Sequence, residues 1–149
     1  MASMMADQSK RVADLLGGRE VFHGKIRAPG DMQRALREGL PFAAFDALVD
    51  ALEMSSLQLA RLLGVATRTL ARRKDQGQLS PIESDRLYRV AHVLLLAAEV
   101  LGSIDKARHW LTRPNRALGG ETPLSYLDTE VGQQQVEDLL LRLSHGIYS

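Results

Sequence analysis

Apolar residues recur at intervals of three and four along most of the chain, which is the spacing of one face of a helix. The spacing is clearest in residues 42–52 and 136–143. Glycine and proline residues divide this pattern into segments of ordinary helix length. Only Val21, Phe22 and Ile26 could form an extended piece, so at most one stray strand is expected there. The pattern therefore predicts an all-α protein.

The best-defined predicted element is a helix that begins after Ser80. Ser80 can cap the first amides, Pro81 suits the first helical position, and Glu83 can reach back to the Ser80 amide. No helix breaker follows before Gly102, so the helix has about 21 residues and a length of about 31 Å. Its C-terminal half is apolar nearly all round and must be covered, either by the last helices of this chain or by a partner surface.

Composition narrows the class of protein. A chain of 149 residues with 45% hydrophobic residues folds as one domain or as two small ones that share a core. The absence of cysteine excludes disulfides, thiolate zinc sites and cysteine nucleophiles, and it fits a cytoplasmic location. The longest apolar run, residues 93–98, is far shorter than the about 20 residues of a membrane span, so neither secretion nor membrane insertion is expected.

Charge is unevenly distributed, although the net charge is only +1. Residues 56–90 contain seven basic and three acidic side chains, whereas residues 115–149 contain two basic and five acidic ones. A nucleic-acid site on this protein must therefore be a local patch, and the two segments are expected to bind different partners.

Residues 56–73 have the pattern of a helix-turn-helix. A first helix over 56–63 and a second over 66–73 are joined by Gly64 and Val65. Gly64 can take the left-handed turn conformation without a Cβ penalty, and the small Ala60 allows the second helix to cross closely. The apolar residues expected to lock the two helices together are Leu59, Leu63, Val65 and Leu70.

The second helix of this motif carries the candidate DNA-binding residues. With Leu70 turned inward, a step of about 100° per residue places Thr67, Arg68 and Arg72 outward, where a recognition helix meets base edges in the major groove. Arg68 and Arg72 are expected to contact guanines. Phosphate contacts are expected from Thr69, Arg73 and Lys74.

Two positions depart from such motifs. Ala66 stands where a serine cap is expected, a loss of about 0.5–2 kcal/mol unless Thr67 caps one residue later. Arg73 stands where an aliphatic side chain is usual. The basic side chains could alternatively be the solvated face of an ordinary helix.

A series of spaced motifs follows in the C-terminal half. They are Trp110-Leu111, Pro114-Asn115, Ala117-Leu118-Gly119-Gly120, Pro123-Leu124 and Gly146-Ile147-Tyr148-Ser149. Together with the residues from Leu70 onward, they resemble the Xre/MbcA/ParS antitoxins over about the last 110 residues. The first 40 residues match loosely or not at all.

The resemblance implies an antitoxin. Members of that family pair a helix-turn-helix with a C-terminal toxin-binding domain, neutralise a RES-domain toxin that acts on NAD, and repress their own operon. The expected domains are a weakly patterned segment over 1–20, a DNA-binding domain over 21–90 and a toxin-binding domain over 91–149, connected by the long central helix. We expect a homodimer on palindromic double-stranded operator DNA, with no cofactor and no enzymatic activity.

The resemblance also implies which residues bind the toxin. They are Trp110, Asn115, Leu118, Gly119, Gly120, Pro123, Leu124, Ile147, Tyr148 and Ser149. Residues 119–124 are explained equally well by a tight helical hairpin, and Trp110 by core packing. The tail over 147–149 is a frayed end by default, whereas the resemblance suggests that it helps to cover the toxin's active site.

A second functional class stays open at this stage. The chain could be a stand-alone transcription regulator whose C-terminal domain senses a small ligand. An enzyme is not expected, because no glycine-rich phosphate loop follows a strand and the four histidines share no ligand spacing.

Overall fold

The computed structural model describes the backbone of residues 2–146 and the side chains of residues 7–146. Within that range the secondary structure is helical, as predicted, and no β-strand is formed. The α-helices are α1 (Ala2–Leu15), α2 (Arg19–Phe22), α3 (Pro29–Glu38), α4 (Phe42–Leu52), α5 (Ser56–Leu62), α6 (Thr67–Gln76), α7 (Pro81–Leu101), α8 (Ile104–Leu111) and α9 (Glu130–Ser144). Two 3₁₀ helices, η1 (Arg116–Leu118) and η2 (Leu124–Asp128), lie between α8 and α9.

The segment considered for a stray strand is not extended. Val21 and Phe22 lie in the single turn of α2, where their amides donate to the Gly18 carbonyl at 3.1 and 2.9 Å. Both side chains are buried, as is Ile26, so their apolar character reflects core packing. A single antiparallel bridge joins Pro41 and Gln78 instead.

The long helix predicted after Ser80 is confirmed as α7, with 21 residues. The Ser80 amide donates to Glu83 Oε1 at 2.8 Å, and the Glu83 amide donates to Ser80 Oγ at 3.2 Å. This reciprocal pair is the predicted capping box. Gly102, with φ of +106°, follows the end of the helix.

The chain forms two compact units, the first ending at Ala91 and the second beginning at His92. Helix α7 therefore belongs to both. In the first unit the fully buried side chains include Leu16, Phe45 and Leu48. In the second unit they include Leu94, Leu111 and Leu140.

The N-terminal helix α1 contributes to the core of the first unit, which its weak pattern did not predict. Val12 and Leu16 are 0% exposed. Burial raises the pKa of the Tyr88 hydroxyl on α7, against the opposing effect of a hydrogen bond with Ser9 of α1. Helix α1 therefore contacts α7 at Tyr88.

In the second unit, α9 packs closely against η2. A Cβ atom at Gly132 of α9 would overlap the carbonyl oxygen of Tyr126, so glycine is required at this position. Thr129 caps the helix by accepting a hydrogen bond from the Gly132 amide at 3.0 Å. Val136 and Leu140 are 0% exposed and continue the buried face of α9.

Among the helices of residues 2–146, none is by itself long and apolar enough to cross a membrane. Helices α7 and α8 together would reach the length and composition, but they are bent by 115° at the break between them.

Candidate nucleic-acid and toxin interfaces

Helices α5 and α6 and the turn between them form the predicted helix-turn-helix. The turn is made by Gly64, whose φ of +70° is the left-handed conformation that glycine favours. Leu59, Leu63, Val65 and Leu70 are each at most 9% exposed, so the four apolar residues predicted to lie inside the motif are buried.

Helix α5 begins with a capping box that was not among the predicted features. The Gln58 amide donates to Ser55 Oγ at 3.1 Å, and the Ser55 amide donates to Gln58 Oε1 at 2.8 Å. Its Ser-x-x-Gln spacing is readable in the sequence. This cap determines where the first helix of the motif starts.

Arg86 of α7 holds the turn of the motif by a hydrogen bond. Its Nη1 atom donates to the Leu63 carbonyl at 2.9 Å. The same atom would lie 3.0 Å from a Cβ at Gly64. Gly64 therefore provides both the backbone conformation of the turn and the space for this arginine.

Helix α6 begins without a side-chain cap. Ala66 is the N-cap residue and makes no such hydrogen bond, and Thr67, the alternative cap, is already the first helical residue. The first backbone N–H groups of α6 thus lack a side-chain acceptor at the cap position, which suits a helix end that meets phosphate oxygens.

The exposed face of α6 carries most of the predicted DNA-binding residues. Thr67, Arg68, Arg72 and Lys74 are exposed, and Thr69 is half-buried. Within residues 2–146, no carboxylate forms an ion pair with Arg68, Arg72 or Lys74. The helix therefore presents three cations that have no ion-pair partner among the described side chains.

Arg73 differs from its neighbours. Its Nε atom lies 2.8 Å from Glu83 Oε1, and the side chains of Arg73 and Glu83 are only 20% and 10% exposed. A second hydrogen bond links Arg73 Nη1 to Gln76 Oε1 at 3.2 Å. The arginine at this usually aliphatic position connects α6 to the start of α7.

Glu83 thus has two roles, in the cap of α7 and in the pair with Arg73. Burial alone would raise its pKa, but the hydrogen bonds from Arg73 and from the Ser80 amide outweigh burial, and the pKa of Glu83 lies below its usual value. The carboxylate is therefore charged at neutral pH.

The end of α6 is also held by the chain segment before α4. The Phe42 amide donates to the Gly77 carbonyl at 2.9 Å, and the Leu79 amide donates to the Leu40 carbonyl at 2.9 Å. The Leu40 amide in turn donates to Ser84 Oγ of α7 at 2.7 Å, in a buried position. These bonds hold the C-terminal end of α6 against the segment before α4.

In the second unit, three of the residues assigned to toxin binding are buried. Leu118 is 5% and Leu124 7% exposed, and Pro123 is buried as well. The Leu118 carbonyl accepts a hydrogen bond from the Tyr126 hydroxyl at 3.2 Å. Gly119 and Gly120 are exposed, with φ of +67° and +85°, and make the expected tight turn.

Asn115 organises that turn. Its Oδ1 accepts from the Ala117 amide at 2.9 Å, and its carbonyl accepts from the amides of Leu118 and Gly120, both at 3.0 Å. Its own amide donates to the Glu121 carbonyl at 2.9 Å. The Asn115 backbone and side chain are therefore fixed before any partner binds.

Trp110 and Asn115 line one groove of about 600 Å³, which is mainly apolar. The other lining residues of this groove were not among the predicted site residues. They are Leu101, Asp105, Lys106, His109, Arg113 and Pro114.

The predicted tail residues Ile147, Tyr148 and Ser149 lie outside the described residues. His92 Nε2 lies 3.2 Å from Glu137 Oε1, within the second unit. No group of three or more metal-ligating side chains occurs in the part of the chain that the structure describes.

Comparisons with known proteins agree with this arrangement. Residues 31–92 match the antitoxin Xre-like helix-turn-helix domain, and residues 96–146 match the antitoxin Xre/MbcA/ParS C-terminal toxin-binding domain. An antitoxin Xre of Photorhabdus laumondii is 37% identical over 116 residues, covering 76% of this chain and 78% of the relative. An antitoxin Xre of Yersinia enterocolitica is 34% identical over 141 residues, covering 81% of this chain and 95% of the relative. An antitoxin Xre of Pseudomonas putida is 41% identical over 83 residues, covering 55% of this chain and 52% of the relative. The chain therefore belongs to the Xre antitoxin family.

Proposed function

We propose that this chain neutralises a RES-domain toxin that acts on NAD and represses the operon that encodes both proteins. The observation that carries the proposal is the presence, on one chain, of a helix-turn-helix domain and a toxin-binding domain of the same antitoxin family. The choice of a RES-domain toxin rests on the resemblance of the C-terminal motifs. The antitoxin works in the cytoplasm, needs no cofactor and has no catalytic activity of its own.

In this proposal α6 binds the operator in the major groove. Arg68 and Arg72 are exposed, unpaired with any described carboxylate and one helical turn apart, which suits contacts to guanine edges. Thr67 lies at the helix start beside the bases. Thr69 and Lys74 hold phosphates and supply affinity that is independent of sequence.

Arg73 takes a different role from the one first expected. Because its guanidinium is paired with Glu83, it positions α6 on α7 instead of holding a phosphate. The direct DNA contacts of the motif are therefore assigned to five residues, Thr67, Arg68, Thr69, Arg72 and Lys74.

The antitoxin binds DNA as a homodimer, with its two recognition helices about 34–36 Å apart on a palindromic operator. Its dimer surface is formed by one of two apolar helices, α4 or the C-terminal half of α7. Phe42, Phe45 and Leu48 of α4 are buried within the first unit, which favours the C-terminal half of α7. Leu95, Leu96 and Val100 are partly exposed there.

The toxin binds the second unit. Trp110, Asn115, Gly119 and Gly120 are accessible for contact, whereas Leu118, Pro123 and Leu124 support the surface from within. Residues 147–149 help to cover the toxin's active site, with the aromatic side chain of Tyr148 in a pocket for a nucleotide.

The test is to express the product of the neighbouring gene with and without this chain, and to follow growth and intracellular NAD. The proposal expects NAD to collapse when the neighbour is expressed alone and to be preserved on co-expression. Deleting residues 147–149 should weaken protection and leave operator binding unchanged. A harmless neighbour that does not co-purify would overturn the proposal.

One observation favours a second candidate function. The groove beside Trp110 has a volume of about 600 Å³, within the range of small-molecule pockets, which suits a regulator whose C-terminal domain senses a ligand. Such a regulator would repress its promoter without any toxin gene beside its own.

A further inference from the structure

The groove beside Trp110 contains groups that the fold of the second unit does not use. The indole N–H of Trp110 makes no hydrogen bond to any residue in the range 2–146, and the side chain is partly exposed. Leu101 and Pro114 continue the apolar lining. A partner can therefore gain both apolar contact and a hydrogen bond here.

The rim of this groove is positively charged. Lys106 and Arg113 are exposed, and no described carboxylate lies within ion-pair distance of either. The one acidic residue of the rim, Asp105, is already paired with Arg108 at 2.9 Å. The charge that would complement this rim is negative.

We propose that the groove receives a segment of the toxin that carries an apolar side chain next to a carboxylate. The apolar side chain packs against the Trp110 ring, and the carboxylate lies between Lys106 and Arg113. This inference rests on the proposed function, and the occupant is a toxin because all the groove residues lie at or after position 96, in the segment matched to the toxin-binding domain. Asn115, fixed by its backbone bonds, gives the groove a rigid wall.

Trp110 is the only tryptophan of the chain, so it can report on the groove directly. The full-length chain labelled with 5-fluorotryptophan gives a single ¹⁹F resonance, from Trp110. Saturating it with unlabelled toxin purified separately should change the chemical shift of that resonance. A resonance that stays at its free position in the saturated complex would overturn the inference.

Charge-reversal variants provide an independent test of the rim. We expect Lys106→Glu and Arg113→Glu, made separately, each to weaken the toxin's binding about tenfold, by a slower association. Arg142→Glu is the matched control, because Arg142 is exposed on α9 and does not line the groove. An equal loss of affinity in the control would show a general effect of charge and contradict the inference.

The outcomes separate this inference from the proposed function. If the unmodified chain binds the neighbouring gene's product, but the Trp110 resonance and the affinities of the rim variants do not change, only the assignment of the groove is wrong. If the unmodified chain does not bind that product, both proposals fail.

Discussion

Helix α6 and the turn over residues 115–124 are both dense in family motif residues, but the two regions use them differently. On α6 the motif side chains Arg68 and Arg72 are exposed and have no ion-pair partner among the described residues. In the turn, Leu118 and Leu124 are buried and Asn115 is fully bonded to neighbouring backbone. A motif residue can therefore serve a partner or the fold, and burial and bonding distinguish the two roles.

The largest expected effect is a loss of stability caused by a substitution in the turn over residues 115–124. Leu118→Ala should lower the free energy of unfolding of the second unit by about 2–5 kcal/mol, because it leaves a cavity under the turn. Trp110 fluorescence during urea unfolding reports on that unit. Glu121→Ala, at an exposed position of the same turn, is the control and should change stability by less than about 0.5 kcal/mol. Equal effects of the two substitutions would mean that the turn does not depend on Leu118.

The next largest loss of stability is expected from the ion pair of Arg73 with Glu83, which positions α6 on α7. Glu83→Gln should lower the free energy of unfolding at neutral pH by about 1.5–3 kcal/mol, because the charged hydrogen bond with Arg73 is weakened. Chemical unfolding followed by circular dichroism measures this change. Asp85→Asn, in an exposed pair with Arg89 at 3.7 Å, is the control and should have little effect.

The same variant has a defined pH dependence. The pKa of Glu83 is lower in the folded chain than its ordinary value of 4.5. Its stabilising contribution is therefore complete above that value and is lost as the pH falls through the folded pKa. The difference in stability between the unmodified chain and Glu83→Gln should shrink below pH 4.5. A difference that stays constant down to the acid limit would contradict the role of the ionised carboxylate.

The smallest expected effect is on operator binding, where Arg72 and Lys74 of α6 should differ. Arg72→Ala should cost about 1–3 kcal/mol in operator affinity and relax the base preference at one position, because a guanine contact is lost. Lys74→Ala should weaken binding to all DNA sequences evenly. It should also lower the slope of log affinity against log salt concentration by about the amount of one phosphate contact. Fluorescence anisotropy over a range of salt concentrations and operator variants measures both. Identical base preferences and salt slopes in the two variants would contradict the assignment.

Local sequence signals predicted much of the fold. The Ser80-Pro81-Ile82-Glu83 start and Gly102 located α7, because caps and breakers act within a few residues of one another. The helix-turn-helix followed from Gly64 and the spacing of Leu59, Leu63 and Leu70. The weak pattern of residues 1–20 did not predict a core helix, because Val12 and Leu16, both 0% exposed, pack against residues distant in sequence.

The candidate sites depended on contacts that no local pattern contains. The sequence by itself determined the all-α class, the order of the helix-turn-helix and the C-terminal domain, and the exposed side of α6, because helical periodicity and capping are properties of neighbouring residues. Only the tertiary structure decided that Arg73 pairs with Glu83, that Leu118 is buried and that Trp110 shares a groove with Lys106 and Arg113. Those outcomes depend on which helices pack together, and a charge or an apolar side chain acquires its role only when its neighbours in space are known.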